Sequence, residues 1–408
     1  MTTYVLVVFG IVYLGMILGG LPFLQLDRTG IALLGAIALV GAGDVTPLQA
    51  AESVHLPTLI LLFSFMVISA QMRLGGFYAW VTRRVAAAGV APPVLLALLM
   101  LVVAGLSAVF SNDVVCLAVA PVLADACLRR RLDPLPFLLA LACSANIGSA
   151  LTLIGNPQNM LIGGKLTISF SAYVAEAAVP VLAGLALTWG ILVWQAGGRW
   201  QQGEAGPGVP ERREGEALDR WQTAKGLAVA GTLLLLFLFT SWPREVAALV
   251  GAGLLLLSRR LHSSRMLGLV DWELLVLFIG LFVVNHAIQE TGLTARAVAE
   301  LADAGLRLQD PATLFGATFI LSNIVSNVPA VMLLLPVATE PLAGPMLALV
   351  STLAGNLLIV GSIANIIVVD AAARHGIPIT WQRHARVGLP VTLASLAVTA
   401  LWFWWRWH

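Results

Sequence analysis

The chain has 408 residues, of which 59% are hydrophobic and only 11% charged, and its net charge is +2. A soluble domain carries about a quarter charged residues, so the composition excludes a soluble globular protein and points to a polytopic membrane protein. The slight net charge gives no footprint for nucleic acid or a polybasic anchor.

A bilayer-spanning helix needs about 20 apolar residues. The opening stretch, MTTYVLVVFGIVYLGMILGG, lacks a basic n-region and reads as a retained first span over 3–21 rather than a cleaved signal. Further spans fall near 30–48 and 56–72, followed by FYAWVTRRVAAAG, whose amphipathic pattern suggests an interfacial helix. The apolar stretch 92–128 is long enough for two arms and has a polar centre, Ser111-Asn112-Asp113. All three cysteines (Cys116, Cys127 and Cys143) have apolar surroundings and no CxxC spacing, which favours core packing over disulfides or a metal site.

A span over 135–162 contains SANIGSALTLIGNPQN, and another runs over 171–196. Each unpartnered polar group in hydrocarbon costs several kcal/mol, so three Asn, two Ser, a Thr and a Pro inside one span demand a reason. The stretch 197–225, with five basic and five acidic residues plus Gly and Pro, reads as solvated linker. Beyond it, spans fall near 223–241, 244–258, 270–288, 344–369 and 387–405, with a second amphipathic stretch, LTARAVAELADAG, and a second polar-centred apolar stretch, 312–340. The expected division is a first repeat over 1–196, a cytoplasmic linker over 197–222 and a second repeat over 223–408.

Lys and Arg set orientation. With the N-terminus outside and 92–128 and 312–340 taken as hairpins, only Lys165, Arg244, Arg296, Arg307 and Arg406 fall outside, leaving eighteen of the 23 basic residues inside. Each half then crosses an odd number of times, so the second is inverted relative to the first and both termini lie outside. LSAVFSNDVVCLAVAPV (106–122) also aligns without gaps to LSNIVSNVPAVMLLLPV (321–337), and IGNPQN (154–159) lines up with VGSIAN (360–365). The expected fold is all-α, with two inverted-topology repeats, each of five spans (one broken) plus a helical hairpin. Inverted repeats with interrupted helices are the pattern of secondary transporters.

Four interruptions follow: Ser111-Asn112-Asp113, Gly155-Asn156-Pro157, Ser326-Asn327-Val328-Pro329 and Gly361-Ser362-Ile363-Ala364-Asn365. Asn156 before Pro157 reads as an N-cap and first helical residue, and Asn327 with Pro329 reads similarly. Half-helix starts expose unpaired N–H groups and partial positive charge, so four of them meeting at mid-membrane would bind an anion or polar solute without Arg or Lys. A single motif of this kind could be helix-packing glue; four placed by an inverted repeat favour a site lining a protein-enclosed cavity. Asp113 is the one acid within the hairpins' polar centres, since Val328 occupies the equivalent position, and an ionisable group in a span suggests proton or cation coupling. The bland alternative is a carboxylate that stabilises the first turn of the second arm.

Other residues carry less. His286 near a span end reads as interfacial, Asp271 and Glu273 as solvated at a span entrance, and Cys116 as core despite its place three residues after Asp113. GGKLT (163–167) is no phosphate loop, and no nucleophile–base or paired-acid constellation suggests an enzyme. A channel would also line a path with polar residues but needs no opposed hairpins.

SANIGSALTLIGNPQN, FSND, SNIVSNVPA and AGNLLIVGSIAN resemble the ion transporter superfamily over essentially the whole chain, and within it the arsenical pump and anion permease branch. That group also holds citrate and dicarboxylate permeases and sodium symporters. Dicarboxylate/sodium symporters carry Ser-Asn-Thr at both hairpin tips; Asp113 and Val328 at the third positions depart from that and suit proton coupling better. The resemblance implies a plasma (inner) membrane transporter with a scaffold, a mobile core and an elevator-like movement. It implies no cofactor, a homodimer, and a soluble ATPase as a further partner. Substrate contacts would fall on Ser111, Asn112, Gly155, Asn156, Asn159, Ser326, Asn327, Gly361, Ser362 and Asn365, with Asp113 coupling a proton or sodium. Arsenite or antimonite efflux in exchange for protons fits tips that lack cationic side chains, and sodium-coupled di- or tricarboxylate or sulfate uptake is the alternative.

Overall fold

The computed structural model describes residues 2–21, 24–201 and 217–407, and these form twenty α-helices and no β-strand. They divide evenly. The first ten are α1 (Thr2–Leu18), α2 (Arg28–Gly41), α3 (Pro47–Ser53), α4 (Leu56–Leu74), α5 (Phe77–Ala86), α6 (Pro92–Val109), α7 (Asn112–Arg129), α8 (Pro134–Ser149), α9 (Pro157–Lys165) and α10 (Phe170–Ala196). The second ten are α11 (Arg220–Phe239), α12 (Arg244–Leu256), α13 (Ser263–Leu267), α14 (Trp272–Glu290), α15 (Leu293–Asp303), α16 (Pro311–Val325), α17 (Asn327–Leu334), α18 (Ala343–Ala354), α19 (Ile363–Arg374) and α20 (Trp381–Trp407). The protein is thus an all-α polytopic membrane protein of two inverted-topology repeats.

Local details repeat with the order. α5 and α15 both follow a left-handed glycine, Gly76 and Gly292, with φ of 70° and 72°. Both closing helices, α10 and α20, are 27 residues long and carry an internal proline, Pro180 and Pro390. The short helices α3 and α13 have no counterpart among the expected spans. Thr46 and Gln49 form a capping box ahead of α3, and the His262 side chain caps α13. Helix α11 begins at Arg220, capped by Asp219, so apolar helix starts a few residues before 223. Of the linker stretch, 202–216 lies outside the described residues.

Packing separates two groups of helices. In one, α1, α2 and α14 pack together, as do α4, α11 and α12, so α2 rests on α14 of the other repeat and α12 on α4. The other group joins both hairpins (α6–α7 and α16–α17), both broken helices (α8–α9 and α18–α19), α10 and α20. The α4–α9, α1–α16, α10–α11 and α14–α17 contacts link the two groups.

The α2–α14 seam depends on backbone proximity. A Cβ at Gly280 would lie 2.7 Å from the Ala32 carbonyl carbon and 2.8 Å from its oxygen, with no flexible side chain to yield. Interiors this close-packed transmit such a clash. Gly280→Ala is expected to destabilise the fold by about 1–3 kcal/mol, seen as a lower melting temperature in detergent. Gly231→Ala, at a position with nothing within 4 Å, should melt like the parent.

Candidate functional site

All four interruptions break the helix; three of the tips share one buried hydrogen-bond network, and the second hairpin tip packs beside it. Its first centre is Asn146, in α8. The Asn146 Oδ1 accepts from Asn112 Nδ2 at 3.0 Å and from Ser362 Oγ at 2.9 Å. Its Nδ2 donates to Asn356 Oδ1 at 2.9 Å and Asn365 Oδ1 at 3.1 Å. One amide therefore ties the first hairpin tip to the break between α18 and α19.

The second centre is Thr352, in α18. Its hydroxyl accepts from Asn156 Nδ2 at 3.1 Å and Gln158 Nε2 at 3.2 Å, and donates to Asn159 Oδ1 at 3.4 Å. Ser149 joins the two centres, since its Oγ accepts from Asn156 Nδ2 and donates to the Asn146 carbonyl. Asn146, Ser149, Asn156, Gln158, Asn159, Thr352, Asn356, Ser362 and Asn365 are all buried, and of their buried side-chain nitrogens and oxygens Asn356 Nδ2 alone lacks the partner that polar groups away from water need.

The arrangement obeys the repeat. The offset that aligns Gly155 with Gly361 and Asn159 with Asn365 also aligns Asn146 with Thr352 and Ala150 with Asn356. Each repeat's centre thus serves the other repeat's break. Tyr173 Oη, on α10, donates to the Ala150 carbonyl at 2.7 Å, and His384 Nε2, on α20, sits 3.1 Å from the Asn356 carbonyl. Closing helices thereby tether equivalent points on the two breaks.

Asn156 caps α9 as expected, its Oδ1 accepting from the Asn159 N–H at 2.9 Å. Asn327 corrects the expectation. It is the first residue of α17, and Ser326 takes the cap position at φ 80° without a side-chain cap bond. A left-handed serine is strained backbone held by its surroundings, because the hairpin must reverse within one residue. Ser111 likewise precedes α7 without capping it, and Ser362 precedes α19 but directs its hydroxyl to Asn146.

Gly155 is fixed by close approach: its backbone oxygen accepts from the Asn112 N–H at 3.3 Å, and a Cβ there would lie 2.2 Å from the Ser149 carbonyl oxygen. A Cβ at Gly355 would meet Asn327 Nδ2 at 3.2 Å and the Gly361 carbonyl at 3.3 Å, so the second hairpin tip and Gly361 close the cluster. Ser111 and Ser326 flank it, half-buried. Asp113 stands apart from the amide network, half-buried, against the backbone N–H of Ala364 in the first turn of α19 and within electrostatic range of Asp271. Asp271 caps α14 through the Leu274 N–H at 2.9 Å.

Five buried polar atoms on the hairpins have no protein partner: the Oδ1 of Asn112, of Asn323 and of Asn327, and the Oγ of Ser107 and of Ser322. Those of Ser107 and Ser322 and of Asn112 and Asn327 are repeat-related pairs; Asn323 has Ala108 as its counterpart. Amide and hydroxyl oxygens in this setting can accept from a hydroxylated solute or coordinate a cation. Among the described residues no group of three His, Cys, Asp or Glu side chains could hold a metal, and the three cysteines are buried and free.

Asn146, Ser149, Thr352, Asn356, Gln158 and Tyr173 were not singled out from sequence. Asn146 lies within the SANIG stretch and aligns with a polar residue under the repeat offset, which is the signal that marks it. His286 does not sit on open surface. It lines a separate cavity of about 630 Å³ with Glu52, Lys165, Glu290 and Met332, between α3 and α14 on one side and α9 and α17 on the other.

The family described as "Citrate transporter" matches residues 4–354. The chain belongs to that family. It is 30% identical over 412 residues to an uncharacterised transporter of Mycobacterium tuberculosis, covering 94% of each chain. It is 29% identical over 469 residues to a silicon efflux transporter of Oryza sativa subsp. japonica, covering 96% of this chain and 95% of the rice protein. The YdaH transporter of Alcanivorax borkumensis, a crystal structure, superposes with a TM-score of 0.56 at 13% identity, over 99% of this chain and 96% of the other, a likeness of fold. The chain is a multi-pass membrane transporter of this family.

Asn146→Ala leaves Asn112 Nδ2, Ser362 Oγ and two amide oxygens without their partner, at an expected cost of about 2–4 kcal/mol in stability together with loss of transport. Thr352→Val keeps the volume and should cost about 1–2 kcal/mol. Melting temperature and uptake into proteoliposomes read both effects, and an Asn146→Ala protein that transports normally contradicts the central role of that amide.

Proposed function

We propose that this transporter exports a small hydroxylated metalloid, arsenite or antimonite foremost, in exchange for protons. The observation that carries the reading is the chemistry of the tip network, in which amides, hydroxyls and half-helix starts converge without Lys or Arg among the described residues. A multiply charged carboxylate wants a guanidinium fork; a neutral As(OH)3 wants alternating donors and acceptors, which amides and hydroxyls provide. The rice relative's name, a silicon efflux transporter, fits a solute of that kind. Ser111, Asn112, Gly155, Asn156, Asn159, Ser326, Asn327, Gly361, Ser362 and Asn365 form the substrate site in this reading, and Asp113 takes and releases the coupling proton.

The hairpins, broken helices, α10 and α20 move as a core against the remaining spans in an elevator-like exchange. This reading keeps the repeats at 1–196 and 223–408, with the linker between them at the cytoplasmic face. It puts the chain in the plasma membrane as a homodimer with both termini outside. A second reading, sodium-coupled uptake of citrate, another carboxylate or sulfate, is favoured by the family description and by the partnerless Oδ1 atoms of Asn112 and Asn327, which suit a cation.

Purified protein in liposomes, offered arsenite, silicic acid, citrate and sulfate under imposed proton or sodium gradients, separates the two. Proton-driven arsenite flux that Asp113→Asn uncouples is the expected result. Sodium-driven citrate flux with no metalloid movement assigns the second reading.

A further inference from the structure

At the end of the bundle opposite the His286 cavity lies a larger cleft of about 970 Å³, enclosed by the start of α8, the end of α10, the α19–α20 connection and the first turns of α20. Three arginines line it, Arg199, Arg383 and Arg386, against one acid, Asp133. Asp133 is already engaged, its carboxylate accepting from the Leu135 N–H at 3.0 Å. Arg383 donates to the Pro378 carbonyl at 2.9 Å. Among the described residues Arg199 and Arg386 make no side-chain hydrogen bond or ion pair, so two exposed guanidiniums share one cleft without a counter-charge from those residues.

The cleft is built rather than incidental. After α10 the chain turns back, and the Leu132–Gln201 bridge, the Asp133 N–H to Trp200 carbonyl bond at 2.9 Å and the Phe137–Trp200 ring contact fix residues 199–201 against the start of α8. Gln195 Nε2 donates to the Arg386 carbonyl at 2.6 Å, locking α10 to α20 beside it. Both arginines are therefore placed by well-bonded backbone.

Its surroundings identify the ligand. The inner wall is apolar, with Leu135, Leu139, Leu192, Ile377 and Val387. Trp194 on the rim is 80% exposed, and Trp381 at the start of α20 is also exposed, as tryptophans are at headgroup level. Away from the cleft, Leu182 and Val179 on α10 and Leu389 and Leu393 on α20 present exposed apolar side chains, a surface for acyl chains. Guanidiniums match phosphate oxygens in charge and geometry, and basic pockets between membrane helices take anionic headgroups.

We propose that this cleft is a binding site for one anionic phospholipid, with its phosphodiester between Arg199 and Arg386 and its chains along α10 and α20. The site is independent of the tip network and of the transported solute. The lipid would fasten α8, α10 and α20, three of the helices that carry that network.

The test titrates full-length protein in neutral detergent with phosphatidylglycerol, with phosphatidylcholine and with inorganic phosphate, reading melting temperature and lipid retention by native mass spectrometry. Phosphatidylglycerol should bind about ten-fold more tightly than phosphatidylcholine, and Arg199→Gln with Arg386→Gln should abolish that preference. The double variant without lipid should melt like the parent, since neither guanidinium has a partner among the described residues. Should it misfold, competition between the two lipids on the parent protein decides. Equal retention of both lipids, a preference that survives the double variant, or equal stabilisation by inorganic phosphate each overturns the proposal; the last outcome assigns the cleft to a soluble anion.

Discussion

A polar group inside a membrane protein must find its partner within the chain, and the Asn146 amide is where this fold meets that demand. Its oxygen takes two donors and its nitrogen gives to two acceptors, so its full bonding capacity is used. Through it the first hairpin tip, the body of α8 and the second break become one structure. Ser149 extends the network to Asn156 and Thr352. Against this background, the unpaired oxygens of Asn112 and Asn327 and the unpaired hydroxyls of Ser107 and Ser322 stand out. Each repeat leaves the same two atoms free, one serine hydroxyl and one asparagine oxygen, which is bonding capacity of the kind the proposed solute site needs.

The reciprocity of the two centres has a mechanical consequence. Asn146 belongs to the first repeat and holds the second repeat's break; Thr352 belongs to the second and holds the first's. Neither break can reshape without disturbing the other, so the network binds the first hairpin and the broken helices of both repeats into one body, with the second hairpin packed against it. The remaining spans meet that body at side-by-side helix contacts such as α4–α9 and α14–α17. In hydrocarbon such contacts gain little from burial, and a body held together by polar bonds but flanked by apolar seams fits the elevator-like movement proposed above.

Much of this was legible in the chain. The paired hairpins, the paired breaks and the paired helices α5 and α15 follow from apolar runs interrupted at matching places, because hydrocarbon tolerates so few polar residues that each interruption carries information. Asn156 as a cap was legible because Asn-Pro fixes both the cap and the first helical residue. Other features were not. Asn146 lies inside a regular helix, where a buried Asn looks the same in sequence whether it glues two helices or joins four segments. Ser326 rather than Asn327 caps α17 because a one-residue reversal at φ 80° is decided by the packing of two arms, and that packing has no local code. The helices α3 and α13 are too short for an apolar period to register.

The repeat also shows where symmetry stops. Ser107, Asn112 and Gly155 have identical partners in Ser322, Asn327 and Gly361, but Asp113 faces the second repeat as Val328, which is buried. A carboxylate on one hairpin alone gives an otherwise mirrored site a single group whose charge can change. Asp113 rests against an N–H in the first turn of α19, while Asp271, which caps α14, lies outside the network. The proposed proton coupling rests on this asymmetry: a carrier's coupling group must sit where movement changes its surroundings, and Asp113 lies where α7 meets the first turn of α19, elements from both repeats.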